Sequence, residues 1–409
     1  MHAAQRLVPM LEMTATPRSR LVDAIEARFR ADFGDARAHP FRRFFAPGRI
    51  NLVGAHLDYN GGDVLPMAVD RGIYAAMRLR SDGRIRCRSL DQDLAVDIDA
   101  NDVGARTRPE WGWAGYPIGI WHGFQQRTGL GTGFEVVFGG DLPIASGLSS
   151  SAALEIVTAI GLDALHGTSL ERQQIALLAH RAETGFVGVR CGIMDQFASA
   201  LGRSGKVLLL HCAGPRWEHV PFDPEACEVL VLDTKKPRTL AKSGFNERVA
   251  QCATAHEILR THARDLPHLA SYTLADLEQS REAMDEVLFR RARHVVTEMG
   301  RTRAGAAALL RHDYTTLGAQ LDASHRSAAG DYEVSCEELD VITSAARGSE
   351  GVFGSRLTGA GFGGCAIALL RPGAFGDVVA KVSEVFRQRF GVVPAFDVLR
   401  VGAGPGEID

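Results

Sequence analysis

The sequence predicts two α/β domains in succession, because of the chain length, the composition and the alternation of strand-like and helix-like segments. Its 409 residues exceed what a single hydrophobic core usually organises. Apolar residues make up 45% and charged residues 23%, the balance of an ordinary globular protein. We therefore expect one domain over residues 17–212 and a second over residues 213–409, with a functional cleft between them.

The first half of the chain is predicted to combine an opening helix with short strands. Apolar residues recur on one helical face over residues 17–34, and β-type runs separated by turn signals follow over residues 43–100. Another helix is predicted over residues 111–124. A strand at residues 134–138 then leads through a loop of small residues into a further helix. This order predicts a mixed α/β first domain.

The second half is predicted to begin with the strand CEVLVLDT at residues 227–234. Long helical stretches follow over residues 246–346, and two strand-like segments lie near the carboxyl end. This order predicts helices packed on one face of a sheet. A segment rich in Gly and Pro over residues 212–225 marks the predicted domain boundary.

Charge and composition exclude several classes of partner. The 46 basic and 49 acidic residues leave a formal charge of only -3, too little to recruit nucleic acid or an anionic membrane surface. No apolar run reaches the length of a bilayer crossing, and we expect a cytoplasmic protein with a small-molecule partner. The seven cysteines are scattered without a CxxC pair, which argues against a disulfide framework and a zinc cluster.

The segment PIASGLSSSAA, residues 143–153, places glycine and small hydroxyl residues where a loop passes into a helix. Such a helix start offers unpaired N–H donors and the positive end of the helix dipole, and small side chains let the backbone approach a triphosphate. It lacks the Gly-Lys-Ser/Thr ending of a Walker loop. We predict phosphate binding here, with an ordinary Ser-rich helix cap as the alternative.

In the segment APGRINLVGAHLDYNGG, residues 46–62, polar and charged residues interrupt an apolar strand pattern. Arg49, His56 and Asp58 are suited to bind hydroxyls and negative charge, because a carboxylate and an imidazole together accept from and donate to adjacent hydroxyls of a sugar. A surface turn with a salt bridge is the alternative.

A third segment, LTGAGFGGC at residues 357–365, is a Gly-rich loop before a strand. Taken alone, it is more typical of a tight turn than of a ligand loop. Its occurrence together with the other two candidate binding segments favours a binding role.

These three segments, in their order along the chain, resemble the signature of the GHMP kinases. The segment at residues 46–62 resembles galactokinase in particular. The resemblance spans nearly the whole chain and includes RCGIMDQ at residues 190–196, RARHVVTE at 291–298, SHRS at 324–327 and DYEVSCEELD at 331–340. It implies the two-domain GHMP kinase fold, with an N-terminal ribosomal-protein-like α/β domain, a C-terminal ferredoxin-like α/β domain and the active site between them. It also implies a monomer that transfers the γ-phosphoryl group of ATP to the anomeric hydroxyl of a sugar.

The resemblance implies roles for individual residues. The family's catalytic Asp, which faces the hydroxyl to be phosphorylated, corresponds to Asp195, and the Arg beside it corresponds to Arg49; whether Asp195 acts as a true base stays open. The Mg²⁺ ligands correspond to Ser151 and Glu183, with a solvated helix carboxylate as the alternative for Glu183. The ATP-binding positions are Gly147, Leu148, Ser149, Ser150, Ser151, Ala152, Gly359, Gly361 and Gly363.

The sugar-binding positions implied by the resemblance are Ala55, His56, Asp58, Arg190, Gly192, Asp195 and Phe245. Galactokinases carry Glu at the position of Ala55, usually Tyr at that of Phe245 and commonly Pro at that of Arg190. The Glu lies near the C6 hydroxyl of the sugar in galactokinases, and a similar GAH variant occurs in galacturonokinases.

These departures bear on the identity of the sugar. A carboxylate at C6 would be repelled by Glu and tolerated by Ala55, and the guanidinium of Arg190 is a candidate to bind it. We therefore expect galacturonate or another C6-altered galactose as the acceptor, with galactose itself as the next candidate.

Two other functions stay open from the sequence. The family includes non-catalytic members that bind sugar and nucleotide as transcriptional sensors, but this chain retains the catalytic and magnesium-binding positions of the enzymes. Another GHMP activity, such as phosphorylation of mevalonate or homoserine, would share the phosphate loop and the Gly-rich loop. The polar pair of His56 and Asp58 suits a polyhydroxyl substrate better than an isoprenoid precursor.

Overall fold

The structure, a computed structural model, describes residues 17–35, 40–142, 147–237 and 241–409. The helices in these ranges are α1 Pro17–Phe33, α2 Gly115–Thr128, α3 Ser150–His166, α4 Arg172–Arg181, α5 Met194–Ala200, α6 Ala241–His262, α7 Leu274–Gln279, α8 Glu286–Leu310, α9 Tyr314–Gly330, α10 Glu337–Arg347 and α11 Phe375–Phe390. The strands are β1 Arg42–Asn51, β2 Asp63–Val64, β3 Pro66–Arg80, β4 Arg84–Ser89, β5 Val96–Asp99, β6 Gly133–Gly140, β7 Lys206–His211, β8 Arg216–Pro221, β9 Glu228–Asp233, β10 Val352–Leu357, β11 Cys365–Leu370, β12 Ala395–Leu399 and β13 Gly406–Ile408. None of the helices in the described part of the chain has the length and apolarity that a membrane crossing needs.

The first sheet has six strands in the order β13-β1-β3-β6-β4-β5. Its pairs are antiparallel except for β4 and β6, which run parallel. Successive side chains point to opposite faces, so Phe45 and Tyr74 pack with Phe29 of α1, whereas Phe44 and Ala75 face the core formed with α2 and α3. Helices therefore cover both faces of this sheet.

The second sheet has four antiparallel strands in the order β10-β11-β9-β12. Along β9, Leu230 belongs to a core cluster shared with α10 and α11, whereas Val231 belongs to a cluster shared with α9 and with Ile50 of β1. The prediction of helices on one sheet face is wrong, because successive residues of this strand are apolar and each face has to be covered. The face that carries Val231 packs against residues of the first half of the chain, such as Ile50, and so joins the two halves.

The third sheet is β2-β7-β8, in which β7 and β8 form a hairpin. The predicted boundary between residues 212 and 213 lies in the turn of this hairpin. After β12 the chain returns to the first sheet, where Val401 bridges Val69 and β13 pairs with β1. The predicted second domain thus contributes one strand to the first sheet, and the domain limits stay a prediction.

Candidate active site

A cavity of about 130 Å³ lies where the two halves of the chain meet. The predicted catalytic and sugar-binding positions that line it are Arg49, Ala55, His56, Asp58, Gly192, Asp195 and Phe245. The lining is completed by Asn51, Tyr59, Cys191, Met194, Arg356, Gly359 and Ala360. The fold thus gathers the segments at residues 46–62, 190–196 and 357–365 around one space.

An ion pair joins Arg49, near the end of β1, to Asp195, in the first turn of α5. Nε and Nη2 of Arg49 lie 2.8 and 2.7 Å from Oδ1 of Asp195. Nη1 donates to the carbonyl oxygen of Gly147 at 2.8 Å, and the Ser149 hydroxyl donates to Oδ2 of Asp195. The guanidinium is buried, but the Asp195 side chain keeps 30% of its surface exposed, so the carboxylate is held in place and still accessible.

The phosphate loop enters α3 beside this pair. Residues 143–146 of the predicted loop lie outside the described residues. The carbonyl oxygen of Leu148 accepts from the amide of Arg49 at 3.0 Å, and Ser149 has a φ of 60° immediately before the helix begins at Ser150. No described side chain caps this helix start, so its first amide donors are available to a phosphate group.

Two buried carboxylates lie behind Ser151, in the first turn of α3. Glu183, in a π-helical turn that follows α4, accepts a hydrogen bond from Nε2 of Gln196, and the Ser151 hydroxyl lies close enough to act on its pKa. The same Nε2 donates to Glu155 at 3.1 Å. Burial and the charge of Asp195 raise the pKa of Glu183, and burial and Glu183 raise the pKa of Glu155. Glu183 is therefore a buried acid, and the alternative of a solvated helix carboxylate is wrong.

The residues present fit the predicted magnesium site. Ser151 and Glu183 offer adjacent oxygen atoms of the kind that Mg²⁺ binds. Oε1 of Glu155 and Oε1 of Gln196 are buried without a hydrogen-bond partner among the described residues. A cation here would offset the crowded negative charge.

Asp58 packs directly on the backbone of Gly192. A Cβ atom added at Gly192 would lie 2.0 Å from Oδ2 of Asp58, so only glycine allows this approach. Burial and the Asp195 carboxylate raise the pKa of Asp58 to about 6, against the opposing effect of Arg49. Asp58 is thus a weak acid at the cavity wall.

His56 has the left-handed backbone conformation, with a φ of 59°, and its ring lies in an aromatic cluster. Nδ1 of His56 lies 3.0 Å from Oη of Tyr59, which lies 2.7 Å from Oη of Tyr332. The ring of Phe245 packs on this group, with its centroid 5.8 Å from that of His56 and 5.2 Å from that of Tyr59. The cluster fixes the orientation of the imidazole.

The imidazole of His56 is neutral. Burial, with the charges of His294 and Arg356 nearby, lowers the pKa of His56 to about 3. Its Nε2 lies near the Ala360 backbone but outside hydrogen-bonding geometry. A neutral imidazole with one free ring nitrogen is able to bind a ligand hydroxyl.

The backbone of Ala55 is held from behind by α8. Oε1 of Glu298 accepts from the amides of Gly54 and Ala55 at 2.9 and 3.0 Å, and Nε2 of His294 lies 3.1 Å from the carbonyl oxygen of Ala55. The sequence analysis included residues 291–298 in the family resemblance but assigned no role to His294 or Glu298. The signal available was the spacing of His294 and Glu298, four positions apart and so on one face of the helix.

Arg190 does not line the sugar cavity. It lines a neighbouring depression of about 420 Å³, which shares Tyr59, Cys191 and Phe245 with the cavity. The cation that lines the cavity besides Arg49 is Arg356, in β10, which sequence reasoning did not identify. Its place directly before the Gly-rich loop was its only sequence signal.

The Gly-rich loop connects β10 to β11. Gly359 lines the cavity that also contains Asp58 and Asp195, so this end of the loop belongs to the cavity wall. A Cβ atom added at Gly361 would lie 2.1 Å from the carbonyl oxygen of Val334, so the backbones approach too closely for another residue. The ATP-binding role of Gly359, Gly361 and Gly363 stays a prediction.

Comparisons with known proteins agree with this geometry. The chain matches the GHMP kinases N terminal domain over residues 115–203, the galactokinase galactose-binding signature over residues 27–79 and the GHMP kinases C terminal over residues 306–388. The galactokinase of Exiguobacterium sibiricum is 37% identical over 388 residues, which cover 94% of this chain and 98% of that protein. This chain belongs to the galactokinase family.

The galactokinase fold is confirmed by solved structures. The crystal structure of Lactococcus lactis galactokinase complexed with galactose matches with a TM-score of 0.89 and 34% identity, covering 95% of this chain and 100% of that chain. The mevalonate kinase of Methanococcus jannaschii matches with a TM-score of 0.61 and 18% identity over 90% of this chain and 99% of that chain, which shows the shared GHMP kinase fold alone. As a galactokinase-family enzyme, the chain is an ATP-dependent sugar kinase that uses an alcohol group as acceptor.

Proposed function

We propose that this kinase transfers the γ-phosphoryl group of MgATP to the anomeric hydroxyl of a galactose-configured sugar held in the cavity of about 130 Å³. The observation that carries the proposal is the ion pair of Arg49 and Asp195, which lies at the junction of this cavity with the start of α3. The galactose complex of the L. lactis relative supports the choice of sugar.

In this proposal Asp195 orients the acceptor hydroxyl by accepting its hydrogen bond, and the carboxylate is placed to take the proton as the oxygen bonds to the γ-phosphorus. Arg49 holds the carboxylate in an ion pair and neutralises charge on the transferred group. Ser149 holds the second carboxylate oxygen and so sets its orientation. Positioning and charge neutralisation are the main requirements of phosphoryl transfer.

The triphosphate is proposed to lie against the uncapped start of α3, where amide donors and the helix dipole favour negative charge. Ser151 and Glu183 would hold Mg²⁺, which neutralises phosphate oxygens when it is bound. Glu155 is connected to Glu183 through Gln196, and because burial and Glu183 raise its pKa, a bound cation would favour its ionised form.

The sugar is proposed to present its ring hydroxyls to Asp58 and to the neutral imidazole of His56. Ala55 leaves the C6 end without a protein carboxylate, and Phe245 contributes a ring face without a hydroxyl. The proposed acceptor is therefore galacturonate or another C6-altered galactose, because a Glu at position 55 would repel a C6 carboxylate and Ala does not. Galactose itself is the next candidate.

Release of ADP from MgATP by the purified protein, measured with galactose, galacturonate, glucuronate, N-acetylgalactosamine and arabinose, tests the proposal. We expect turnover on a galactose-configured sugar that is lost in Asp195→Asn and retained in Asp265→Asn, a matched change at an exposed aspartate outside the cavity. Absence of turnover on every sugar would contradict the proposal and favour a sugar and nucleotide sensor.

A further inference from the structure

Arg356 is a buried cation without an anion of its own. Its residue surface is 1% exposed and it lines the sugar cavity. Nη1 donates to the carbonyl oxygen of Leu52 at 3.2 Å, and Nε has no hydrogen-bond partner. Among the described residues, no carboxylate lies within ion-pairing distance of this guanidinium. Burial lowers the pKa of Arg356 to about 10, which leaves it charged at neutral pH and costly to keep unpaired.

The carboxylate that acts electrostatically on Arg356 is that of Glu298, and both of its oxygens already accept hydrogen bonds from other groups. Oε1 of Glu298 accepts from two backbone amides and a serine hydroxyl, and Oε2 accepts from Arg301. One carboxylate therefore serves two guanidinium groups, those of Arg301 and Arg356. The nearby His56 and His294 have pKa values lowered by burial to about 3 and about 4, so neither adds charge at neutral pH. This side of the cavity carries a net positive charge.

The remaining charged groups that line the cavity are Arg49, Asp58 and Asp195. The charges of Asp195 and Arg49 affect the pKa of Asp58, whereas the charge of Arg356 is among those that affect the pKa of His56. The cavity thus has an acidic end suited to hydroxyls and a basic end suited to an anion.

Three buried polar atoms of cavity-lining side chains have no hydrogen-bond partner among the described residues. They are Oδ1 of Asn51, Nε2 of His56 and Nε of Arg356. Native proteins leave few buried polar atoms in this state, and each calls for a partner from outside the chain. Because their side chains line the cavity, a small adjustment of each would bring these atoms to a polar substrate there.

We propose that Arg356 determines the specificity of this kinase by binding a carboxylate at C6 of the acceptor, which makes hexuronates of the galacto configuration its substrate class. This inference rests on the proposed sugar kinase function. Ala55 lines the same cavity and brings no carboxylate, so the guanidinium stays free for the anion of the substrate. A buried guanidinium binds a carboxylate through short, charge-assisted hydrogen bonds, which galactose, with a hydroxyl at C6, does not match.

The test compares kcat/KM for galacturonate, its neutral methyl ester and galactose in the wild type, Arg356→Met and Arg356→Lys. We expect the wild type to prefer the acid over the ester by roughly tenfold or more, and Arg356→Met to lose about 100-fold on galacturonate, with much less loss on galactose. Arg356→Lys, which keeps the charge, should recover part of the loss. A matched control is Arg387→Met, which removes an exposed guanidinium outside the cavity and should leave the galacturonate to galactose ratio unchanged.

Equal loss on both sugars in Arg356→Met would show a structural role and contradict the inference. A measurement that needs no variant is the unfolding midpoint of the wild type without ATP, which galacturonate should raise more than its methyl ester does. Turnover on galactose with no response to galacturonate would contradict the role of Arg356 and leave the proposed function standing. Absence of turnover on every sugar would contradict the proposed function and this inference with it.

Discussion

Arg49 contacts a single oxygen of Asp195 with two of its nitrogens, Nε at 2.8 Å and Nη2 at 2.7 Å. The other carboxylate oxygen accepts from Ser149, so the loop before α3 and the end of β1 hold Asp195 together. Because the guanidinium is buried and the carboxylate is partly exposed, the pair presents a fixed acceptor to the cavity. This arrangement couples the loop before α3 to the carboxylate at the cavity wall.

Asp195→Asn should abolish turnover while sugar binding persists. The amide keeps the shape of the side chain but removes the negative charge that orients the hydroxyl and pairs with Arg49. We expect kcat to fall by about 10²–10⁴, the range for a positioned acid or base. Kinetics of ADP release and sugar-induced shifts of the unfolding midpoint measure the two effects separately. A variant that loses sugar binding and turnover together would contradict the assignment.

Gly192→Ala should raise KM for the sugar. The new Cβ atom would meet the Asp58 carboxylate at 2.0 Å, so Asp58 has to move away from its place at the cavity. We expect a loss of about tenfold or more in kcat/KM, of the size that a misplaced binding group causes. Gly185→Ala is the matched control, since nothing lies within 4 Å of its Cβ position. Equal kinetics of the two variants would refute the packing argument.

The sugar KM should rise as the pH falls through about 6. Asp58 has a pKa raised to about 6, so below that pH it is protonated and loses capacity to accept hydrogen bonds from sugar hydroxyls. Above it the carboxylate is ionised and binding is strongest. Initial rates between pH 5 and pH 8 measure this, with Asp58→Asn as the comparison. The inflection should be absent in that variant, and its persistence would assign the titration to another group.

Glu298→Gln should destabilise the protein strongly. The buried carboxylate accepts from the amides of Gly54 and Ala55 and pairs with Arg301, so a neutral side chain leaves buried donors and cations uncompensated. We expect a loss of about 3–5 kcal/mol in the free energy of unfolding, measured in urea. Glu384→Gln, at an exposed i,i+3 pair, is the control and should leave the free energy of unfolding nearly unchanged.

The same residue predicts a dependence of stability on pH. The pKa of Glu298 is lowered to about 2 in the folded chain, chiefly by the charges of Arg301, His294 and Arg356 against the effect of burial. Its stabilising contribution is therefore complete above the ordinary carboxyl pKa and is lost as the pH falls toward 2. The stability difference between Glu298→Gln and the wild type should shrink over that interval. A difference that is constant with pH would contradict the assigned role.

Ala55→Glu should shift the sugar preference from galacturonate toward galactose. The introduced carboxylate shares the cavity with Arg356, so it would occupy that cation and repel an acidic group at C6. We expect the ratio of kcat/KM for galacturonate to that for galactose to fall by about tenfold or more. Ala55→Gln, of the same size but uncharged, separates charge from bulk. An unchanged ratio in Ala55→Glu would mean that this position does not sense C6.

Much of the fold and the site could be predicted because the signals are local. The apolar spacing of α1 and the small residues at the start of α3 each belong to one continuous segment. Arg49, His56 and Asp58 likewise share one motif, and all three line the cavity. The sequence did not predict that helices cover both faces of β9, because the residues that pack against an apolar strand lie elsewhere in the chain.

The two arginines at positions 190 and 356 show the limit of such signals. Arg190 adjoins the segment that carries Asp195, yet its side chain lies at a neighbouring depression. Arg356 is remote from Ala55 in sequence, yet both line the same cavity. Proximity in sequence to Asp195 therefore did not place Arg190 at the cavity, whereas the fold brings Arg356 there.

The sequence by itself determined the α/β class, the galactokinase family and the candidate catalytic pair, since each depends on short continuous motifs whose residue types are sufficient evidence. Only the tertiary structure decided that Arg356 lines the cavity unpaired, that Glu298 holds the backbone of Ala55, and that the pKa of Asp58 lies near 6. These properties depend on burial and on charges brought together from distant segments, and no stretch of sequence contains that information.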